Sequence, residues 1–125
     1  MRYRPPAWEA RGRPGAVEVP AGSELVLLEG VGAAQRELAP FLDAVVWVQS
    51  DAALAERRGI ARDVAEGVNG DLERATAFWH EWAAEELRFL RDQRPWERAD
   101  LVVAGTPVTP LAAGRLAVAP GPLRP

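Results

Sequence analysis

Three arginines, Arg57, Arg58 and Arg62, crowd into the stretch "ERRGIARD". On a helix, Arg58 and Arg62 are four residues apart and therefore neighbours on one face, where like charges cost roughly 0.2–0.5 kcal/mol. An anion between them turns that repulsion into attraction, and the planar arginine fork matches phosphate oxygens. The competing reading is a solvated face in which Glu66 pairs with Arg62 and Asp63 lies nearby. A second candidate is Glu29, which ends the apolar run in "SELVLLEGVGA". At the carboxyl end of a strand, that carboxylate could help hold magnesium through water or accept a hydrogen bond from a substrate hydroxyl. The alternative is a carboxylate capping the positive end of the next helix.

Other residue types narrow the chemistry. All 15 basic residues are arginine, so a phosphate loop of the form G-x-x-x-x-G-K-[ST] does not exist within these 125 residues, and neither does a lysine base or Schiff base. The absence of cysteine excludes disulfides, thiolate zinc sites and cysteine nucleophiles. His80 is the single histidine, and its expected role is at a surface or interface. Trp8 sits in an arginine-rich stretch without apolar periodicity; its ring could stack on a flat base or anchor a loop. A net charge of −3 argues against a broad nucleic-acid surface. No apolar run approaches the roughly 20 residues of a membrane span, so no membrane partner and a cytoplasmic address are expected.

These residues need elements to position them. Residues 1–22 are rich in proline and arginine and read as a loop region, with a short extended piece at Ala16–Val19. Residues 23–106 read as an α/β core. In it, Glu24–Glu29 is expected as a strand buried on both sides, because Leu25-Val26-Leu27-Leu28 has no polar face. A short helix is expected near Ala34–Ala39, ending by Pro40. A second buried strand is expected at Ala44–Gln49, then a helix over residues 51–66 capped by Ser50 or Asp51. A longer helix, capped by Asp71, is expected to run to about Arg91 with Trp79, Trp82, Leu87 and Leu90 on one stripe. A third strand ends at Gly105, and residues 107–125 form a proline-rich tail. The alternation of strands and helices predicts an α/β fold, a three-layer parallel sheet flanked by helices.

Taken in order, "VLLEGVGA", "DAVVWVQSD", "RRGIARD", "EWAAEELRFL" and "RPWERADLVVAGTP" resemble the second half of a bacterial uridine kinase-like P-loop phosphotransferase, over roughly residues 3–107. The resemblance implies a partial P-loop kinase-like fold missing its first strands and, with them, the lysine-bearing phosphate loop and the acidic base. It implies ATP and Mg2+ as cofactors and a nucleoside or similar small hydroxyl compound as phosphate acceptor. It would make Arg58 and Arg62 lid-helix arginines that approach the phosphates beside Arg57, and would put Glu29 near the substrate. Gly105 and Thr106 would lie near the adenine. Trp8-Glu9 replaces the family's tyrosine and aspartate, and Arg11 or Arg13 stands for its nucleoside-holding arginine. The implied chain is inactive alone, with a missing amino-terminal half or self-association as partner. The alternative is a non-catalytic α/β binding or assembly module of the same descent.

Overall fold

The computed structural model describes residues 1–10, 12 and 14–122, and its chain divides into the units Met1–Gly30 and Val31–Pro125. The first unit holds a two-residue antiparallel pair, β1 (Arg2–Tyr3) and β2 (Val17–Glu18), registered Arg2 to Glu18 and Tyr3 to Val17. Opposite charges meet across it, with Arg2 Nε 3.2 Å from Glu18 Oε1. The amino terminus donates to the Val19 carbonyl at 2.6 Å. Between the strands lies one turn and a half of helix, α1 (Pro6–Ala10), entered through the proline pair that the first turn of a helix tolerates.

The expected strand at Glu24–Glu29 is a correction: these residues form no regular structure, and Leu25 to Leu28 are exposed. A strand needs a neighbour to take its backbone hydrogen bonds, and none among the described residues pairs with this run. The expected helix near Ala34–Ala39 is also absent. Residues 31–38 are turns, followed by a single 3₁₀ turn over Ala39–Phe41 with Pro40 inside its start. Side chains from elsewhere hold these turns. Arg36 N donates to Gln93 Oε1 and its guanidinium to the Asp92 carbonyl, while Arg98 Nη2 donates to the Ala34 carbonyl.

From there the order of strand, helix, helix and strand follows the sequence pattern, but the strand expected to be buried at residues 44–49 is largely exposed, because no layer covers its outer face among the described residues. β3 (Val46–Gln49) is followed by α2 (Ala52–Glu66), whose first turn is capped by Asp51, its carboxylate accepting from Leu54 N at 2.7 Å. Such caps are worth about 1 kcal/mol. α2 ends on Gly67 at φ 65°, the left-handed conformation that glycine adopts without steric cost. α3 (Leu72–Gln93) begins at the Asp71 cap and ends on Arg94. β4 (Leu101–Ala104) pairs parallel with β3, Val46 opposite Leu101 through Gln49 opposite Ala104. Asp100 sets that register: its carboxylate accepts from Val45 N, and its own N–H donates to the Val45 carbonyl, each at 2.8 Å.

The tail supplies the third strand. β5 (Val118–Pro120) pairs antiparallel with β4, so the sheet is mixed, in the order β3-β4-β5. Among the described residues the fold is a mixed α/β arrangement of two small sheets and three α-helices, not the expected three-layer parallel sheet. One face of the larger sheet, presenting Val46, Val48, Leu101 and Val118, is exposed. Its opposite face carries the buried Val102, and Trp47 there meets Trp96 with ring centroids 5.7 Å apart. Among the described residues the buried apolar side chains are small: Ala75, Pro95, Ala99 and Val102. On α3 the inward stripe runs through Ala75, Trp79, Glu86 and Leu90, and Leu87 points out at 61% exposure. Among the described residues, no helix is long and apolar enough to cross a membrane.

Candidate functional site

In a parallel pair, both carboxyl ends lie at the same edge, and α/β sheets bind ligands there. β3 delivers Ser50 and Asp51 to that edge, and β4 delivers Gly105 and Thr106. Gly105 N donates to the Gln49 carbonyl at 2.8 Å, carrying the ladder one residue beyond the strand. Asp51 N donates to Thr106 Oγ1 at 2.7 Å, so the threonine side chain closes the gap between the two strand ends. Gly105 is required by this approach. A Cβ there would press on Ser50 Oγ and sit 3.0 Å from Val48 Cγ1.

The same edge carries the amino end of α2, whose orphan N–H groups favour negative charge. Arg57 and Arg58 follow six and seven residues after Asp51, about 10 Å along the axis at about 1.5 Å per residue. Both are exposed, and among the described residues neither side chain has an ion pair or hydrogen bond. Gly59 and Asp63, four apart, form the buried face of α2, which places Arg58 and Arg62 together on its flank.

Arg62 is committed differently. Its Nε and Nη2 donate to Asp63 Oδ1 at 3.0 and 2.7 Å, and Asn69 Nδ2 donates to Asp63 Oδ2 at 2.8 Å. Asp63 is 5% exposed. These donors, Arg62 before Asn69, hold the Asp63 carboxyl below its ordinary value, and the carboxylate in turn raises the Arg62 guanidinium. The cluster lines a cavity of about 310 Å3 walled by Val68, Phe78, Trp79 and Trp82. His80 Nε2 lies 2.9 Å from Glu56 Oε1, tying α3 to α2 at the surface.

The lowered Asp63 value fixes a sign. Its contribution to stability is complete above the unfolded carboxylate value and is lost as pH falls through the lower, folded value. Asp63→Asn is therefore expected to flatten the fall of the urea midpoint on acidification below about pH 4. An unchanged acid limb would show that other carboxylates carry it.

The remaining sequence candidates lie in the unit Met1–Gly30. Trp8 and Glu9 are on α1, Trp8 half-buried and Glu9 exposed; Glu29 is exposed beyond the unpaired Leu25–Leu28 run. Arg11 and Arg13 lie outside the described residues. The structure thus joins Gly105 and Thr106 at one edge and ranges Arg57, Arg58 and Arg62 along α2. It adds Ser50 and Asp51, which the sequence offered only as caps, and Asn69, which the turn "GVNG" did not single out. Among the described residues, no group of three or more His, Cys, Asp or Glu side chains is arranged to hold a metal ion.

Comparison with protein-family models, with curated proteins and with solved structures returns no match for this chain.

Proposed function

We propose that this chain is the carboxyl portion of a uridine kinase-like, ATP-dependent phosphotransferase acting on a nucleoside or a similar hydroxyl compound. The observation that supports the reading best is the edge where Asp51 and Thr106 join β3 to β4, with an arginine-bearing helix rising from it. Phosphoryl transfer is mostly positioning and charge stabilisation around Mg-ATP, and exposed arginines on a helix that starts at a strand edge suit that work. In this reading Arg58 leads the phosphate contacts, Arg57 and Arg62 assist, and Gly105-Thr106 borders the base of ATP. By resemblance, Trp8, Glu9 and Arg11 or Arg13 are the candidates for holding the nucleoside, and Glu29 is the candidate substrate carboxylate. Magnesium would enter with ATP and neutralise the charge that develops on the transferred phosphate.

The test uses the full chain with ATP, Mg2+ and uridine, followed by ADP release. The chain alone gives no turnover. Adding an amino-terminal uridine kinase fragment that carries G-x-x-x-x-G-K-[ST] is expected to give saturable, uridine-dependent turnover. Turnover by the chain alone at ordinary kinase rates of about 1–100 s⁻¹, or none with the fragment bound, overturns the proposal. A second reading, a non-catalytic assembly module, is favoured by the exposed Leu25–Leu28 run; binding of the fragment without turnover is its signature.

A further inference from the structure

Two surfaces of this chain are unfinished in complementary ways. The first is the Leu25–Leu28 run: its four residues are 84, 58, 86 and 57% exposed, alternating with the two-residue period of a strand. The second is β3. Among the described residues it pairs only with β4, so its other edge offers a row of open backbone groups. Beside that edge lies the bare sheet face, with Val46, Val48, Leu101 and Val118 at 53, 54, 47 and 60% exposure.

We propose that a second copy of this chain completes both. In a twofold pair the bare faces stack, and each copy lends its Leu25–Leu28 run as a fourth strand parallel to the partner's β3. A run apolar on both sides is what a parallel strand covered on both faces requires. A reciprocal exchange of identical segments closes after two copies, so the assembly stops at a dimer. The inference rests on exposed surface alone and is independent of the phosphotransfer reading.

The area is sufficient. The eight exposed side chains amount to about five fully exposed ones, or about 500 Å2 of apolar surface per copy at about 100 Å2 each. A reciprocal pair then buries about 1,000 Å2 of apolar surface. With an apolar share of about 60%, that corresponds to the roughly 1,600 Å2 of a standard stable interface. The edge hydrogen bonds come in addition.

Light scattering on the eluting full chain is expected to give twice the 13.6 kDa of one copy. Leu27→Asp and Val48→Asp, both at exposed positions, each return it to one copy with unchanged far-ultraviolet dichroism. Since the chain contains no cysteine, the pairing can be read directly. Oxidising a mixture of Leu27→Cys and Val48→Cys chains is expected to give a disulfide linking one of each. A single-copy mass for the parent chain at about 100 μM, a dimer indifferent to both aspartates, or a doubly substituted chain that closes its disulfide within one copy would each overturn the proposal.

Discussion

Gly59→Ala is expected to lower the unfolding free energy by up to about 2 kcal/mol, although alanine is the better helix former. In an exposed helix interior this change gains about 1 kcal/mol. Here it does not, because Gly59 is buried on the face of α2 that meets α3. A Cβ at this position would lie 2.6 Å from Cη2 and 2.7 Å from Cε3 of Trp79, and closer still to Cζ3. An indole is rigid, and this one already packs against Trp82 with centroids 5.5 Å apart, so it cannot bend away as a flexible side-chain end would. Overpacking costs about 1–3 kcal/mol, and an overlap with three atoms of a rigid ring belongs at the upper end of that range, above the propensity gain of about 1 kcal/mol. Thermal unfolding reads the loss as several degrees. Adding Trp79→Leu to Gly59→Ala should recover part of it, since the smaller side chain vacates the space. A Gly59→Ala chain as stable as its parent would mean that α2 and α3 separate without cost.

The larger effect concerns activity. In the enzyme restored by the fragment carrying the phosphate loop, Arg58→Ala is expected to lower kcat on the order of 10²–10³-fold, the usual loss for one charge-stabilising donor. Arg62→Ala should lower it less. Two of the Arg62 nitrogens are spent on Asp63, leaving Nη1 for a phosphate, whereas the whole Arg58 fork is uncommitted among the described residues. Arg62→Ala should instead weaken the hold on Asp63 and lower the urea midpoint. Arg88→Ala, on exposed α3 surface, is the control for a general change in charge. If Arg62→Ala removes more activity than Arg58→Ala, the Asp63 pair opens during turnover and the division of labour is reversed.

What could be read from the chain alone was local. Asp51 and Asp71 announce helix starts because a short carboxylate can take the first free N–H groups. Gly67 announces an end because it alone turns left-handed without cost. "AVVWVQ" and "DLVVAG" announce strands through β-branched residues. All of these hold because their causes lie within one turn or one run. "LVLLEG" has the same apolar character and forms no strand, because a strand also requires a neighbour that its own residues do not specify. Likewise β5 lies in a proline-rich tail whose composition argues against a strand. It pairs because β4 has an open edge within reach, and Pro120 closes the strand opposite Leu101.

The candidate site divides in the same way. That Arg58 and Arg62 share one face of α2 was legible from helical period alone; that Gly59 and Asp63 form the buried row beside them was not. That Arg62 turns back onto Asp63, and that Thr106 reaches the backbone of Asp51 across 55 residues of sequence, was not. Hydrogen bonds between distant segments depend on which strand lies beside which, and on the side chain that happens to face the gap. Composition and spacing determined α2 and α3, their caps and the absence of a lysine-based phosphate grip. Tertiary structure alone decided the mixed sheet, its bare face and the pairing of the charges, because each of these is a property of two segments at once.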